Sequence, residues 1–575
     1  MIRDLWSATN ITLLCLISCL LGSPPMNRPA LASPIPGTGT LSGTVTARKP
    51  FKAARIYARN LDKNVLYMVY TTGGGYRAVN LFPGRYEVRA EKPGFTGDVK
   101  SVVIAAGANA TADFSLQPAN ADPNEVSRVP YDALYPPGAG RDLAEKTCIA
   151  CHGAGFLPLH QWSETQWQAA LSLMADPKPG PQKSPIPPGT FTPKDRQELI
   201  AYLVKNFGPD SPRRSLEVPE MPTDEQALAT GMYVEYFLPP LDASQLEGTR
   251  TRQTHDPHFD GNGNVWYTDD GANRIGKLDP RTAAFQEYRN PNPKASAHGI
   301  TADARGHIWW VGNISLGQLD PKSGETALYP IDPKNQTVYH GHTVVVDSAE
   351  NVWFTNILEN KLGEWNRKTE KITLWEVPTY NSYPYGVVAG KNGKIWMAEW
   401  HRCKVAKFDP VTQKFTEYSP PTTPCNVRRI REDSQGSIWY GSGVMKGGKL
   451  GRLDPDSGKI KEYDIPMPYW APYDLAPDRD GNIWLGDSSR LNGGRLPWTK
   501  LDPALSRVDT ALIRFDTKTG KFTFYPSPQR TSMAKIEITR EGAIWYCTKD
   551  SNAETQAIDV FYPDVTKMST LAAYY

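Results

Sequence analysis

Residues 298–319, HGITADARGHIWWVGNISLGQL, return in altered form down to the C-terminus, and no other feature narrows the fold as far. The centre of the unit is a tight turn followed by a β-branched residue and Trp. Aligned on that Trp, the copies fall at Trp266, Trp309, Trp353, Trp396, Trp439, Trp484 and Trp545, spaced by 43, 44, 43, 43, 45 and 61 residues. A repeat of this length is one four-stranded sheet that cannot bury its faces without neighbours, so the series predicts a seven-bladed β-propeller over residues 231–575. Each repeat also ends in a strand of one type: FQEYRNP, ETALYPI, KITLWEVP, KFTEYSPP, KIKEYDIP and KFTFYPSP. MYVEYFLPP at 232–240 has the same form but precedes the first full repeat. It is therefore expected to complete the last blade and close the ring, removing two open sheet edges. The C-terminal STLAAYY competes for that position.

The remaining two fifths of the chain hold other folds, because 575 residues exceed a single core and the overall class is multidomain and mainly β. Charge is close to balance, 64 Lys and Arg against 61 Asp and Glu, which lacks the basic footprint of a nucleic-acid binder. Residues 1–32 read as an export signal, with an early Arg and an apolar run at 11–21. Cleavage after Ala32 would release the chain to the periplasm or exterior, whereas the lipobox-like Leu16-Ile17-Ser18-Cys19 would leave a lipid-anchored Cys19 and a membrane association. In such an oxidising compartment Cys403 and Cys425 are candidates to pair.

Residues 38–118 alternate apolar and polar in short runs punctuated by Gly and Pro, as a small antiparallel β-sandwich does. The stretch at 76–95, with Leu-x-Pro-Gly-x-Tyr-x-Val-x-Ala and then Pro-Gly-Phe, resembles the carboxypeptidase regulatory-like module, which implies a spacer or adhesion role without catalytic residues. Pro-rich segments at 119–140 and 211–230 read as linkers around an all-α unit at 141–210.

That unit opens on Cys148-Ile-Ala-Cys151-His152. Two thiols one helical turn apart can bond the vinyl groups of haem, and the adjacent imidazole can supply an axial nitrogen, so covalent haem c is expected. Thioredoxin chemistry would need a βαβ context, and zinc would need two further ligands. Met174, on an apparent helix at 164–174, is the candidate sixth ligand to the haem iron, with His160 as its rival. The arrangement resembles small cytochrome c domains that carry Trp seven residues before the ligand Met, here Trp167, and a closing helix ending in Tyr-Leu-x-x-x-Phe-Gly, here residues 193–208 with Thr192 as N-cap. The insertion at 176–188 departs from that pattern.

The residue eleven before each Trp occupies one place in every blade, near the start of the inner strand. It is His255, His298, His342, Tyr385, Arg428, Tyr473 and Ala534. Three of only nine His residues fall there in consecutive blades, and His340 and His258 lie nearby. Such a ring at a channel mouth can bind a metal or an anionic ligand, or exchange protons. Three residues after the Trp come Asp269, Gly312, Asn356, Glu399, Ser442, Asp487 and Thr548. Among these Glu399 is the candidate carboxylate to act with the histidines, against the alternative of a hydrogen bond between blades.

GITADARGHIWW, GVVAGKNGKIWMAEW and DGNVWYTDDGANRIGKLDP resemble the streptogramin (virginiamycin B) lyase family of propellers. That resemblance implies metal-assisted elimination with His298, His342 and Tyr385 in the family's order and Mg or another divalent ion nearby. The family's Glu is replaced here, since Thr355, Asn356 and Ile357 follow Trp353-Phe354. Three functions follow as expectations. The first is a haem-dependent oxidoreductase or electron-transfer protein, with catalytic residues among His298, His342, Tyr385 and Glu399 and a separate redox partner for the haem. The second is a C–O lyase with a metal on His255, His298 and His342. The third is a noncatalytic propeller binding a small molecule.

Overall fold

The computed structural model describes residues 35–120, 126–177, 184–242, 251–333, 341–444, 447–488, 509–549 and 555–575. The segment expected to be an export signal, with Cys15 and Cys19, and His340 lie outside these residues, as does the side chain of Cys151. Among the described residues no helix is long and apolar enough to cross a membrane.

The fold is mainly β. Six four-stranded antiparallel sheets follow one another from Thr254 to Pro526, each ordered from inner to outer strand as in the chain. A seventh four-strand group is built from Glu537–Ile538, Ile544–Cys547, Ala557–Tyr562 and, from far upstream, Met232–Phe237. The early strand pairs antiparallel with Ala557–Tyr562, Met232 opposite Tyr562 and Phe237 opposite Ala557. It therefore takes the closing position, and the C-terminal residues do not. They lie against the first sheet instead, where the Ala573 amide donates to the Gly263 carbonyl at 2.9 Å.

Both halves of the repeat have a packing reason. The Asp six residues before the Trp accepts its indole N–H, in Asp260–Trp266 at 3.0 Å, Asp303–Trp309 at 3.1 Å, Asp347–Trp353 at 2.8 Å, Asp433–Trp439 at 2.8 Å and Asp478–Trp484 at 3.0 Å. The aromatic of the closing strand stacks on the same indole, as Tyr288 on Trp266, Tyr329 on Trp309, Trp375 on Trp353 and Tyr418 on Trp396. Each such pair stabilises by roughly 0.5–1.5 kcal/mol beyond the burial of its area. On the strand beside the Trp, glycine is required where an aromatic ring of the same sheet lies flat: a Cβ on Gly276 would sit 2.0 Å from Tyr267.

The N-terminal region is β-sandwich-like. Gly84–Glu91 shows the expected alternation, burying Tyr86, Val88 and Ala90 and exposing the residues between. Val65–Tyr70 is buried on both faces, which a sandwich of this size does not require. The reason is its second partner: it pairs with Met232–Phe237, Val69 opposite Met232 and Val65 opposite Tyr236. One sheet of the sandwich and the closing group thus form a single eight-stranded sheet.

The helical unit is larger than its sequence boundaries. Ser127–Val129 and Arg214–Leu216 pair as a parallel ribbon, and Tyr131, Leu134 and Tyr135 share one core with Trp167, Leu171, Leu199, Leu203 and Phe207. The segments at 119–140 and 211–230 are therefore not simple linkers. Their proline content masks a few apolar residues that the helices bury, and Glu225–Leu228 adds Leu228 to the packing of the closing sheets. Ser163 and Thr192 cap the two long helices, each in a reciprocal bond with the residue three further on.

Candidate functional site

The inner strands start with an irregularity. Pairing with the Trp strand slips between Thr254 and Pro257, Gly341 and Val344, Pro384 and Val387, Val427 and Ile430, and Pro472 and Asp474. A bulge breaks the two-residue alternation, so consecutive side chains can both turn to the channel axis. His255 and Asp256, His342 and Thr343, Arg428 and Arg429, and Tyr473 and Asp474 all do so, in two layers.

The upper layer joins the residues that the Trp alignment singled out. The ring of His298 is 3.8 Å from His255 and 4.4 Å from His342, and His342 is 3.6 Å from Tyr385. The Tyr385 and Tyr473 hydroxyls are 2.7 Å apart, and Lys549 donates to the latter at 2.9 Å. Among the described residues, no three His, Cys, Asp or Glu side chains are disposed to hold a metal ion.

The lower layer escapes the Trp alignment. Arg429, fully buried, reaches Asp256 at 3.0 Å and the Thr343 hydroxyl at 3.1 Å, tying three blades across the axis. Burial alone would raise the Asp256 carboxyl, but Arg429 and His255 hold it well below the usual range. It therefore accepts from His255 Nδ1 at 2.7 Å, which leaves the lone pair on Nε2. Burial, then the charge of Lys549, lower His255 to about 3, so the imidazole is neutral near pH 7. Its Nε2 is buried and has no hydrogen-bond partner.

The other expected members are dispersed. Glu399 is buried at the end of Ile395–Glu399 and is not brought onto the histidines. The groups acting on it are Glu417, Lys404 and Ser382, and burial followed by the Glu417 charge raises it to about 8. Its equivalents in other blades are occupied structurally: Asp269 accepts the Gln253 and Ala272 amides, and Asn356 donates to Glu359 at 2.8 Å. His258 lies toward the opposite channel end, where Tyr575 bonds its Nδ1 at 2.8 Å and Glu537 is 3.9 Å away.

The Cys148–His152 segment sits on this same mouth. Asn426, which begins an inner strand, donates to the Ala150 carbonyl inside the motif, and Asn381 donates to the Ser184 carbonyl at 2.6 Å. Tyr131 stacks on Tyr469 at 5.7 Å. On the ring side, His401 stacks on Tyr383 at 4.0 Å. Burial, then the charges of Arg402 and His152, lower it to about 3. Tyr383 meets Trp400 at 5.4 Å, and Trp400 meets Tyr385 at 5.0 Å. An unbroken series of rings thus runs from His401, beside the motif, to His342. Cys403 and Cys425 form a disulfide, Cα atoms 5.1 Å apart, that ties the Trp400–Arg402 turn to the strand carrying Asn426 and Arg428.

The donor set suits a haem. Cys148 is half-buried, its Sγ 3.6 Å from the Thr147 hydroxyl, and the His152 ring stacks on Phe156 at 4.1 Å. His160 is buried, its Nδ1 donates to the Phe156 carbonyl at 2.7 Å, and its Nε2 has no partner, the arrangement of a metal-binding imidazole. Met174 is half-buried on Glu164–Ala175.

Residues 258–401 and 370–499 match the Virginiamycin B lyase family, and residues 40–117 match the carboxypeptidase regulatory-like domain. Among solved structures, a streptogramin B lyase is similar at 21% identity and a TM-score of 0.47, over 58% of this chain and 97% of that one. A catalytically inactive virginiamycin B lyase from Staphylococcus aureus with quinupristin is similar at 20% identity and a TM-score of 0.47, over 58% of this chain and 99% of that one. No curated protein sequence matches the chain.

Proposed function

We propose that this is an exported c-type haem protein, an oxidoreductase in which a seven-bladed propeller binds a small molecule at its axial mouth and exchanges electrons through the helical unit. The observation that carries the reading is that the Cys148–His152 segment and the His–Tyr ring share one mouth, linked by His401, Tyr383, Trp400 and Tyr385. Haem c, attached through Cys148 and Cys151 with His152 on the iron, would supply one-electron exchange. Met174 and His160 are the available sixth ligands. Here Met174 would raise the reduction potential, and His160 has the free Nε2.

The chain's own residues would do the rest. His255 Nε2, kept unprotonated by Asp256 on the other nitrogen, takes the proton released when a bound substrate is oxidised. The stacked rings exclude water and bridge the mouth to the motif. The Cys403–Cys425 disulfide supports an oxidising compartment, and a diffusible redox partner would reset the haem.

The test uses hydroquinone as electron donor to the haem-loaded full chain. Haem reduction should saturate with hydroquinone concentration, and Trp400→Leu should slow the saturated rate by about tenfold or more. A rate that rises linearly without limit and is equal in both proteins would remove the reading. A second reading, elimination of the streptogramin lyase type, is favoured by the contacts that set His298, His342 and Tyr385 in sequence, although His255, His298 and His342 are not disposed to share one divalent ion among the described residues. Ring opening of a streptogramin with Mg present, lost in His342→Ala, would support it.

A further inference from the structure

Below the ring mouth each cation on the axis has an acidic partner: Arg429 has Asp256, Arg431 has Asp474 at 2.8 Å, and Lys535 has Glu537 at 3.0 Å. Two cations at the mouth have none among the described residues. Arg428 is half-buried, with its guanidinium 4.8 Å from the Trp400 ring centre and 4.4 Å from that of Tyr473, and its Nε is buried without a hydrogen-bond partner. Lys549 lies 4.9 Å from the same Tyr473 ring and bonds only its hydroxyl among the described residues. Withdrawing two cations from water is unfavourable unless an anion compensates them, and no carboxylate of the described chain does so. The flanking Trp400 and Tyr473 rings also lower the local dielectric, which strengthens the attraction of the two cations for an anion.

We infer that Arg428 and Lys549 clamp the carboxylate of a planar small molecule whose body lies against Tyr473 and Trp400. The class of ligand is therefore an aromatic or conjugated carboxylic acid. The inference deepens the redox reading by naming the substrate class at the same mouth, and it rests on that reading only for the identification of the ligand as a substrate. The position suits reaction, since Tyr473 is 6.4 Å from His255 and shares its hydroxyl bond with Tyr385. A propionate of the haem is the other source of the same carboxylate chemistry, and the experiment separates the two.

The haem-loaded full chain is titrated calorimetrically with benzoate and with benzyl alcohol at low ionic strength, and the haem potential is measured on the same samples. Benzoate should bind at least about tenfold tighter than the neutral alcohol. Arg428→Gln and Lys549→Met should each weaken benzoate by about tenfold or more, Arg428→Lys should restore part of the loss, and the potential should stay unchanged. Equal affinities for benzoate and the alcohol, or benzoate affinity unaltered in both variants, overturn the inference. So does a shifted potential in Arg428→Gln with benzoate binding intact, which assigns Arg428 to a propionate. Benzoate binding needs no electron transfer, so failure of the hydroquinone test leaves this isotherm as it is, and the reverse also holds.

Discussion

At the scale of single residues, the centre of the molecule depends on Arg429 and Asp256, which the Trp alignment passes over. The alignment finds one position per inner strand because a regular strand offers one face to the axis. The bulge at the strand start adds the next residue, and with it the pair that orients His255. Removing one partner leaves a fully buried charge without compensation, so Arg429→Met should cost about 3–5 kcal/mol. Urea unfolding reads this directly. Adding Asp256→Asn to that variant should recover part of the loss, and a double variant no more stable than Arg429→Met would show that the charges are not coupled. Glu399 illustrates the opposite outcome. Its sequence position beside the Trp made it a candidate, yet the end of the second strand is where the blade ties down its loops, as Asp269 and Asn356 do.

At the scale of elements, the closing strand carries a buried acid pair. Glu235 of Met232–Phe237 faces Asp559 of Ala557–Tyr562 in the ladder, and both side chains are fully buried. Burial raises Glu235 from 4.5 to about 8, and burial with the Glu235 charge raises Asp559. The folded chain therefore keeps a proton that the unfolded chain loses above about 4.5, so stability contributed here is present below that pH and falls as pH rises toward about 8. Thermal unfolding between pH 5 and 8 should show this loss, and Glu235→Gln should flatten the slope. An unchanged slope would exclude the pair as its source. That MYVEYFLPP closes a sheet is legible from its likeness to the six closing strands. The choice between it and the C-terminus is not, because both can offer an edge and only the packed chain shows which is taken.

At the scale of the whole molecule, the sandwich is structurally part of the ring closure. Removing residues 35–118 would strip Val65–Tyr70 from Met232–Phe237 and leave a long apolar edge open. Such edges template association, so the truncated protein should melt at lower temperature and aggregate at micromolar concentration, as differential scanning calorimetry and light scattering would detect. A monomeric truncation of unchanged melting temperature would mean that this pairing contributes little. The repeat period, the sandwich alternation, the Cys-x-x-Cys-His spacing and the register of His255, His298, His342 and Tyr385 are all determined by local sequence, because each arises from contacts within one unit or its copies. The second partner of the sandwich strand, the axial Arg429–Asp256 pair, and the seating of Cys148–His152 on the ring mouth were decided only by tertiary structure. Each joins residues far apart in the chain, and no local pattern records which surface a buried edge or charge will meet.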